Sequence, residues 1–374
     1  MKIVLVNTKD NKDIHIFSGT PYFMSRAIKE EFEEVIEFDA FMSDASLKEA
    51  YTGNFKTSLE PLGSELSQFL RKTTANADFI LCQGGNSSVP YYDHSTPIAV
   101  WHDSTWHTFL RGYENNRSFE MFKSTHGNLY RWDKKVLDRA DLLIFSSDYV
   151  AEACSRNYGI SKSKIRTIPF GANIHTPPSA GFIAKAIAKR RESITLNLAF
   201  LGVDWKRKGL EMACQLTILL NNMGVKTRLH IMGCNPPKDK LPPSDSIVIH
   251  GFLDKDRPED FQLFEEILQS THFLIHAAFS EPFGIALCEA NAYGIPVIGS
   301  AVEGLKTIVT NGRNGYLFNL ETFVKEAAIL LKNLHARFEA VYLPMLYDTI
   351  AEFNTRLNWT SSTKELKKTL AAYG

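Results

Sequence analysis

Short apolar runs alternate with longer helical segments along almost the whole chain. Such runs occupy residues 3–6, 98–101, 196–202 and 273–276, and each is followed by a loop and a segment with helical spacing. A short continuous apolar run is typical of a strand that is buried on both faces. Strands that alternate with helices predict a parallel sheet covered by helices on both sides. Because the pattern occurs in both halves of the 374 residues, we expect two α/β domains.

A proline-containing segment separates the two halves. Residues 174–181 contain a proline pair and interrupt the alternation, which is typical of a linker. We therefore predict one domain over residues 1–173, a second over residues 174–345 and a helical segment over residues 346–374. A break near Asn358 is expected to divide this last segment into two helices.

The composition argues against several classes of protein. Lysine and arginine total 42, aspartate and glutamate also total 42, and the formal net charge is zero, which argues against a nucleic-acid binder. The five cysteines form no Cys-x-x-Cys pair, so we expect reduced core thiols of a cytoplasmic protein. The first strand follows the initial methionine directly, and no apolar run reaches the roughly 18 residues that a membrane span needs. We therefore expect no signal peptide and at most a peripheral contact with a membrane.

Residues 280–318 are the most informative stretch, with the pattern of a loop, a helix, a strand and a turn-rich connection. Phe283 and Gly284 precede a helical run that begins at Ile285, so the free amides of its first turn point back toward Glu281. The start of a helix is a ready anion site, and glycine lets a ligand approach the main chain closely. The stretch therefore predicts a phosphate-binding loop.

Two acids flank this helix start, with seven residues between them. Glu281 precedes the helix, and Glu289 lies about one turn inside it, on a body that is otherwise apolar. A buried carboxylate is unfavourable unless it is paired or hydrogen-bonded, and a sugar offers a cluster of hydroxyl donors. Two acids around a diphosphate-binding helix start therefore suit a nucleotide sugar. The alternative is that Glu281 is an ordinary helix-start acid and that Glu289 lies on a solvated face.

The residues around the two acids resemble the retaining glycosyltransferases of family 4. The family's Glu-x7-Glu mark and its flanking positions are filled here by Ser280, Glu281, Phe283, Gly284, Glu289, Ala290, Ala292, Gly294, Pro296 and Val297. Gly304, Ile308, Val309, Asn311, Gly312, Asn314 and Gly315 match the usual continuation. The resemblance implies the GT-B fold, in which two Rossmann-like domains face a cleft and a C-terminal helix crosses back to the first domain.

The resemblance also implies an activity. A sugar would move, with retention of configuration, from a nucleotide-diphosphate sugar such as a UDP- or GDP-sugar to a hydroxyl of a glycan, a glycolipid or another acceptor. On this interpretation Glu289 accepts hydrogen bonds from the ribose, and Glu281 holds hydroxyls of the transferred sugar. The amides of Phe283 and Gly284 assist, and the helix start at Ile285 takes the diphosphate. No metal or other cofactor is expected.

A cluster of bases in the second domain is a candidate diphosphate clamp. Lys206, Arg207 and Lys208 follow a predicted strand and precede a helix, where cationic donors favour phosphate oxygens. The alternative is an exposed basic loop. The family carries Arg-Lys-Gly here, which Arg207 and Lys208 match together with Gly209. Many members have arginine where this chain has Val203, so we expect Arg207 or Lys206 to supply that charge.

Three residues of the first domain complete the candidate site. Gly19 lies between the first strand and a helix predicted over residues 23–34. The resemblance implies that it lies near the donor phosphates and the acceptor. The alternative is that it belongs to an ordinary turn. His102 and Asp103 end a strand beside aromatic residues and suit an acceptor pocket, unless they are only polar rim residues. Residues 111–139 predict amphipathic helices packed on this domain, or else a surface that faces the acceptor or a membrane.

Two other functions fit the same residues. The chain could be a catalytically silent subunit that binds a nucleotide sugar and regulates a partner enzyme. It could also be a GT-B epimerase that changes the nucleotide sugar without an acceptor. We favour the transferase, because Glu281, Glu289, Lys208 and His102 are present together.

Overall fold

The computed structural model describes residues 1–41, 56–73, 77–84, 88–113 and 118–373. The chain divides into two compact units, one formed by Met1–Asn173 with Trp359–Gly374 and the other by Ile174–Asn358. Each unit contains one six-stranded sheet whose neighbouring strands are all parallel, as the alternating pattern predicts.

The first unit is a parallel sheet with helices on its faces. Its strands are β1 (Lys2–Asn7), β2 (Glu34–Asp39), β3 (Phe79–Gln83), β4 (Ile98–His102), β5 (Leu142–Phe145) and β6 (Ile165–Thr167). Its helices are α1 (Thr20–Glu31), α2 (Lys56–Thr73), α3 (Trp106–Arg111), α4 (Phe119–Thr125), α5 (Gly127–Arg139), α6 (Asp148–Tyr158) and the last helix of the chain, α14 (Trp359–Ala371). The strand order is β2-β1-β3-β4-β5-β6. The chain therefore turns in opposite directions from β1 and from β3.

Helix α14 is part of the core of this unit. The Trp359 ring stacks on Phe170 and meets Trp101 edge-on, with ring centroids 5.4 Å and 5.8 Å apart. Its indole N–H donates to Oδ1 of Asn173 at 3.0 Å. Large buried aromatic groups supply much of the free energy of packing, so the last helix is held firmly on the first unit.

The charged and aromatic segment 111–139 forms helices α4 and α5 in its described part. Phe122, Leu129, Trp132 and Val136 are buried, as expected for amphipathic helices packed on this unit. Residues 114–117 of the predicted segment lie outside the part of the chain that the structure describes. A role of the segment as an acceptor or membrane surface stays a prediction.

The second unit repeats the architecture. Its strands are β7 (Leu196–Leu201), β8 (Thr227–Met232), β9 (Ile247–Gly251), β10 (Phe273–His276), β11 (Val297–Ser300) and β12 (Gly315–Phe318). Its helices are α7 (Ala180–Glu192), α8 (Leu210–Asn222), α9 (Pro258–Ser270), α10 (Ile285–Ala292), α11 (Leu305–Ile308), α12 (Phe323–His335) and α13 (Leu343–Arg356). The strand order is β12-β11-β10-β7-β8-β9. The order reverses between β7 and β10.

Three elements differ from the sequence-based expectation. Helix α1 spans Thr20–Glu31 instead of 23–34, because the chain from Glu34 onward pairs with β1 as a strand. The turn-rich connection before residue 318 contains α11 and β12, and β12 is a strand through its pairing with β11. Helix α13 lies partly in the predicted segment 346–374 but belongs to the second unit, where Leu346 is fully buried in the core.

No helix in the described ranges is both long enough and apolar enough to cross a bilayer.

Candidate functional site

The loops that follow β7 and β10 meet at the reversal point of the second sheet. Ligands of open parallel sheets bind at such a point, outside the carboxyl ends of the strands. The amide of Phe279, after β10, donates to the carbonyl of Arg207, after β7, at 2.8 Å. Gly209 has φ 73°, and a side chain there would collide with the carbonyl of Ala277. Glycine at this position therefore lets the two loops touch.

Glu281 lies where these loops meet and is 9 % exposed. Three groups surround its Oε2: Arg207 Nη1 at 3.3 Å, His276 Nε2 at 3.4 Å and Lys208 Nζ at 3.9 Å. All three contacts are to this one oxygen, so the carboxylate is held through Oε2.

The protonation states follow from burial and charge. Burial alone raises the pKa of Glu281, but Lys208, the hydrogen bond from His276 and Arg207 outweigh it and hold that pKa well below its usual range. Burial lowers the pKa of His276, which is completely enclosed. At neutral pH the cluster therefore combines a carboxylate, two cations and a neutral imidazole.

Of the two bases expected to compensate Val203, Arg207 is the one that contacts Glu281. Its Nε lies 3.2 Å from Oδ2 of Asp204, and its Nη1 donates to the carbonyl of Ser280 at 2.7 Å. Lys206 instead lies 5.4 Å from the ring centre of Trp205. These contacts orient the Arg207 guanidinium toward Glu281.

The second half of the motif fixes the loop that carries Glu281. The carboxylate of Glu303 accepts hydrogen bonds from the Glu281 amide at 2.8 Å and from the Ser280 hydroxyl at 2.7 Å. Glu303 has φ 40°, a left-handed conformation that is unfavourable for a residue other than glycine. A side chain at Gly304 would collide with the carbonyl of Pro282. Residues 303 and 304 therefore brace the loop before α10, although the sequence did not single out Glu303.

Helix α10 begins beside this loop. Its N-cap is Gly284 with φ 110°, and Phe283 is 2 % exposed. The first amides of a helix have no partner within it, so those at Ile285 and its neighbours can receive an anion. A helix therefore starts where one was predicted, and phosphate binding there stays a prediction.

Glu289 lies inside α10 and is 4 % exposed, so the interpretation as a solvated face is wrong. Its Oε1 lies 2.8 Å from Nζ of Lys255. The Lys255 ammonium also lies 5.0 Å from the ring centre of Phe264 on α9. Lys255 was not predicted as a site residue. It follows β9, and loops after parallel strands share one edge of the sheet, a rule that could have identified it.

Lys255 stands between two acids, Asp254 and Asp256. Asp254 Oδ1 accepts the amide of Asp256 at 3.1 Å, and Asp256 Oδ1 lies 3.6 Å from Nε2 of His175. These acids form an Asp-x-Asp pattern, so the sequence-based argument for a metal-free reaction, which took the chain to contain no such pattern, is wrong on this point. The metal-free reaction itself stays a prediction.

In the first unit, His102 ends β4 at the carboxyl edge of the sheet, and Asp103 follows directly after the strand. Nδ1 of His102 accepts the amide of Ser104 at 3.0 Å, and Oδ1 of Asp103 accepts the Ser104 hydroxyl at 3.1 Å. Gly84 approaches the other side of the imidazole so closely that a Cβ atom there would lie 3.4 Å from its Cδ2. His102 is therefore oriented by its own loop.

Gly19 is the N-cap of α1 and has φ 85°. The two residues before it, Phe17 and Ser18, also have positive φ, at 47° and 57°. The side-chain Nδ2 of Asn173 donates to the Ser18 carbonyl at 2.8 Å and holds this strained turn. Gly19, His102 and Asp103 belong to the first unit, whereas Arg207, Lys208, Phe283, Gly284, Ile285, Glu281 and Glu289 belong to the second.

Comparison with known proteins gives the site a context. Residues 195–334 match the family model of the glycosyl transferases group 1. The chain is 25 % identical over 209 residues to an uncharacterized 41.2 kDa protein of the Klebsiella pneumoniae cps region, covering 54 % of each chain. It is 23 % identical over 197 residues to the D-inositol 3-phosphate glycosyltransferase of Actinosynnema mirum, covering 50 % of this chain and 47 % of that one. The chain spans about half the length of the curated relatives it matches.

Solved structures resemble the whole chain. The lipopolysaccharide outer core galactosyltransferase WaaB has a TM-score of 0.67 at 18 % identity and covers 100 % of this chain and 99 % of its own. Anabaena HepE in complex with UDP-glucose has a TM-score of 0.66 at 15 % identity, with 100 % of both chains covered. The predicted fold is thus confirmed: the chain has the GT-B fold, and its second unit carries the sequence pattern of the glycosyl transferases group 1.

Proposed function

We propose that the protein is a retaining glycosyltransferase that binds a nucleotide-diphosphate sugar in its second unit. The observation that carries the proposal is the contact of Glu281 with Arg207 and Lys208 beside the start of α10. A carboxylate suits sugar hydroxyls, and the two cations suit a diphosphate. HepE was solved with UDP-glucose, and for this chain we propose a UDP- or GDP-sugar.

The proposed chemistry is electrostatic. The diphosphate lies on Arg207, Lys208 and the first amides of α10, and these groups stabilise the negative charge that grows on the leaving group. Glu281 accepts hydrogen bonds from the sugar, and Glu289 accepts them from the ribose. Because these groups already supply positive charge to the diphosphate, we propose that no metal is required.

Retention follows from attack on the same face that the leaving group departs from. The bond between the anomeric carbon and the phosphate oxygen breaks while the acceptor oxygen forms its bond to that carbon. The acceptor proton passes to the departing phosphate oxygen, so no protein nucleophile is needed. His102 and Asp103 are proposed to orient the acceptor hydroxyl.

The acceptor is proposed to be a hydroxyl of a glycan, a glycolipid or another molecule, bound by the first unit. All five cysteines are free and buried, which agrees with a reducing compartment such as the cytoplasm. A peripheral membrane contact stays a prediction.

A nucleotide panel tests the proposal. UDP-, GDP- and ADP-sugars and the free nucleotides are added to the protein with and without EDTA, and thermal stability and binding heat are measured. A ligand that binds the native state raises its apparent stability. Stabilisation by one nucleotide sugar, unchanged by EDTA, supports the proposal, whereas no stabilisation by any nucleotide contradicts it.

Product analysis separates the alternatives. A transferase forms a new glycoside whose anomeric configuration, read by NMR, matches that of the donor. A silent subunit binds the donor without product, and an epimerase changes the sugar in the absence of an acceptor.

A further inference from the structure

We infer that Lys255 and Glu289 act together to read the ribose of the bound nucleotide, so that Lys255 determines selectivity for ribonucleotides over deoxyribonucleotides. The inference rests on the proposed function, which gives the second unit a nucleotide. It adds a residue, Lys255, that comes from a different loop and carries the opposite charge.

The Lys255–Glu289 pair is built into the second unit. The ammonium lies 2.8 Å from Oε1 of Glu289, and the two side chains are 27 % and 6 % exposed. Phe264 borders the ammonium at 5.0 Å from its ring centre, and Phe264 itself is 1 % exposed. The lysine is therefore held in place but is not sealed from an incoming ligand.

The neighbouring acids do not take this lysine. Asp254 accepts a backbone amide of its own turn, and Asp256 faces His175. Lys255 instead reaches an acid on α10, a separate element that begins at the proposed diphosphate site. The loop after β9 and the helix after β10 thus bring one cation and one anion together.

The chemistry of a ribose diol matches this pair. A carboxylate only accepts hydrogen bonds, an ammonium only donates them, and each hydroxyl does both. Glu289 alone would satisfy the hydroxyl protons and leave the hydroxyl oxygens without a donor. With Lys255 beside it, a 2′-hydroxyl can donate to the carboxylate and accept from the ammonium. A 2′-deoxyribose would lack both of these hydrogen bonds.

A merely neutralising lysine would behave differently. It would hold the charge of Glu289 equally for every nucleotide, so its loss would weaken ribonucleotides and deoxyribonucleotides alike. The ratio of the two dissociation constants therefore distinguishes the roles.

The test is calorimetric titration of the full chain with UDP, 2′-deoxy-UDP, GDP and 2′-deoxy-GDP. For the base that binds, we expect the wild type to prefer the ribonucleotide roughly ten- to hundred-fold, as for hydrogen bonds to charged groups. Lys255→Met and Glu289→Gln should each reduce this preference to about three-fold or less. The control is Lys189→Met, at an exposed lysine of α7, which should show the same preference as the wild type.

Two further results decide the matter. The double variant Lys255→Met/Glu289→Gln leaves no uncompensated charge, so it guards against misfolding, and it should lose no more selectivity than either single variant. A Lys255→Met protein that weakens both nucleotides equally, with the wild-type ratio kept, would overturn the inference while leaving the proposed function intact. Failure of all four nucleotides to bind the wild type would overturn both.

Discussion

Nη1 of Arg207 lies 3.3 Å from Oε2 of Glu281, although the two residues are 74 positions apart and follow different strands. The contact exists because β7 and β10 are neighbours at the point where the strand order of the second sheet reverses. A cation and an anion that are placed together in this way can bind different parts of one nucleotide sugar. The cation suits the diphosphate, and the anion suits the sugar.

The first prediction compares three adjacent bases. Arg207→Ala and Lys208→Ala should each weaken binding of the nucleoside diphosphate roughly ten-fold or more, because charge-assisted hydrogen bonds to phosphate are lost. Lys206→Ala is the control and should change affinity less than about three-fold, since Lys206 lies over Trp205. Calorimetry at two salt concentrations checks this, and an equal loss in the Lys206 variant would contradict the assigned clamp.

A second prediction concerns His276 as a positioning residue for Glu281. His276→Phe removes the ring nitrogen that lies 3.4 Å from the carboxylate and keeps an aromatic ring in the buried position. We expect the transfer rate to fall roughly ten-fold, while affinity for the free nucleoside diphosphate stays within about three-fold. His276→Gln, which retains a donor, should recover part of the rate. If the rate in the His276→Phe protein equals that of the wild type, His276 is only a packing residue.

The third prediction tests a buried cation that supports α10 from its other end. Arg190 is 1 % exposed and donates to the carbonyls of Gly294, Tyr293 and Leu268 at 2.9–3.1 Å. Arg190→Met should lower the free energy of unfolding by about 3 kcal/mol, because carbonyls at the ends of α9 and α10 lose their donors.

Arg191→Met is the matched control. Arg191 forms an exposed ion pair with Glu339 at 2.6 Å, and such pairs contribute about 1 kcal/mol or less. Denaturant unfolding of both variants measures the difference. Equal losses of stability in the two variants would show that the Arg190 contacts do not matter.

A fourth prediction follows from two stacked histidines, His230 and His250, whose ring nitrogens lie 3.0 Å apart. Burial, and then the neighbouring His250, lower the pKa of His230 from 6.5 to about 4. As the pH falls, His230 is therefore protonated near pH 6.5 in the unfolded chain but only near pH 4 in the folded chain. Stability should fall as the pH drops through this window, by at most about 1.4 kcal/mol per pH unit for this group.

His230→Gln should flatten that dependence. Urea unfolding between pH 8 and pH 5 compares the variant with the wild type. The same slope in both proteins would mean that His230 does not resist protonation in the folded state.

The alternation of apolar runs predicts most of the fold, because a strand that is buried on both faces appears in the sequence as a short run of adjacent apolar residues. β12 is different: Tyr316, Leu317 and Phe318 are only half-buried and follow turn signals, and pairing with β11 makes them a strand. Helix α13 likewise depends on tertiary packing, since the fully buried Leu346 places it in the core of the second unit.

Candidate site residues were predictable only where a local pattern marks them, as for Glu281 and Glu289 in one stretch and for Arg207 and Lys208 in another. Glu281 and Glu289 share one motif, and their spacing is visible in the chain. Lys255 and Glu303 reach the same motif from other loops, and such contacts depend on strand order. His276 is fully buried on β10, and its ring also lies beside Glu281.

The central claim is that Glu281 binds the sugar part of the donor, and one calorimetric comparison tests it most directly. Glu281→Gln and the control Glu326→Gln, at an exposed glutamate of α12, are titrated with the nucleotide sugar that stabilises the wild type and with its free nucleoside diphosphate. We predict that Glu281→Gln binds the nucleotide sugar at least ten-fold more weakly, because a charged acceptor is lost. Its affinity for the diphosphate alone should be unchanged or higher, since a negative charge beside the phosphates is gone. Glu326→Gln should match the wild type with both ligands. Wild-type affinity of the Glu281→Gln protein for the nucleotide sugar would contradict the account.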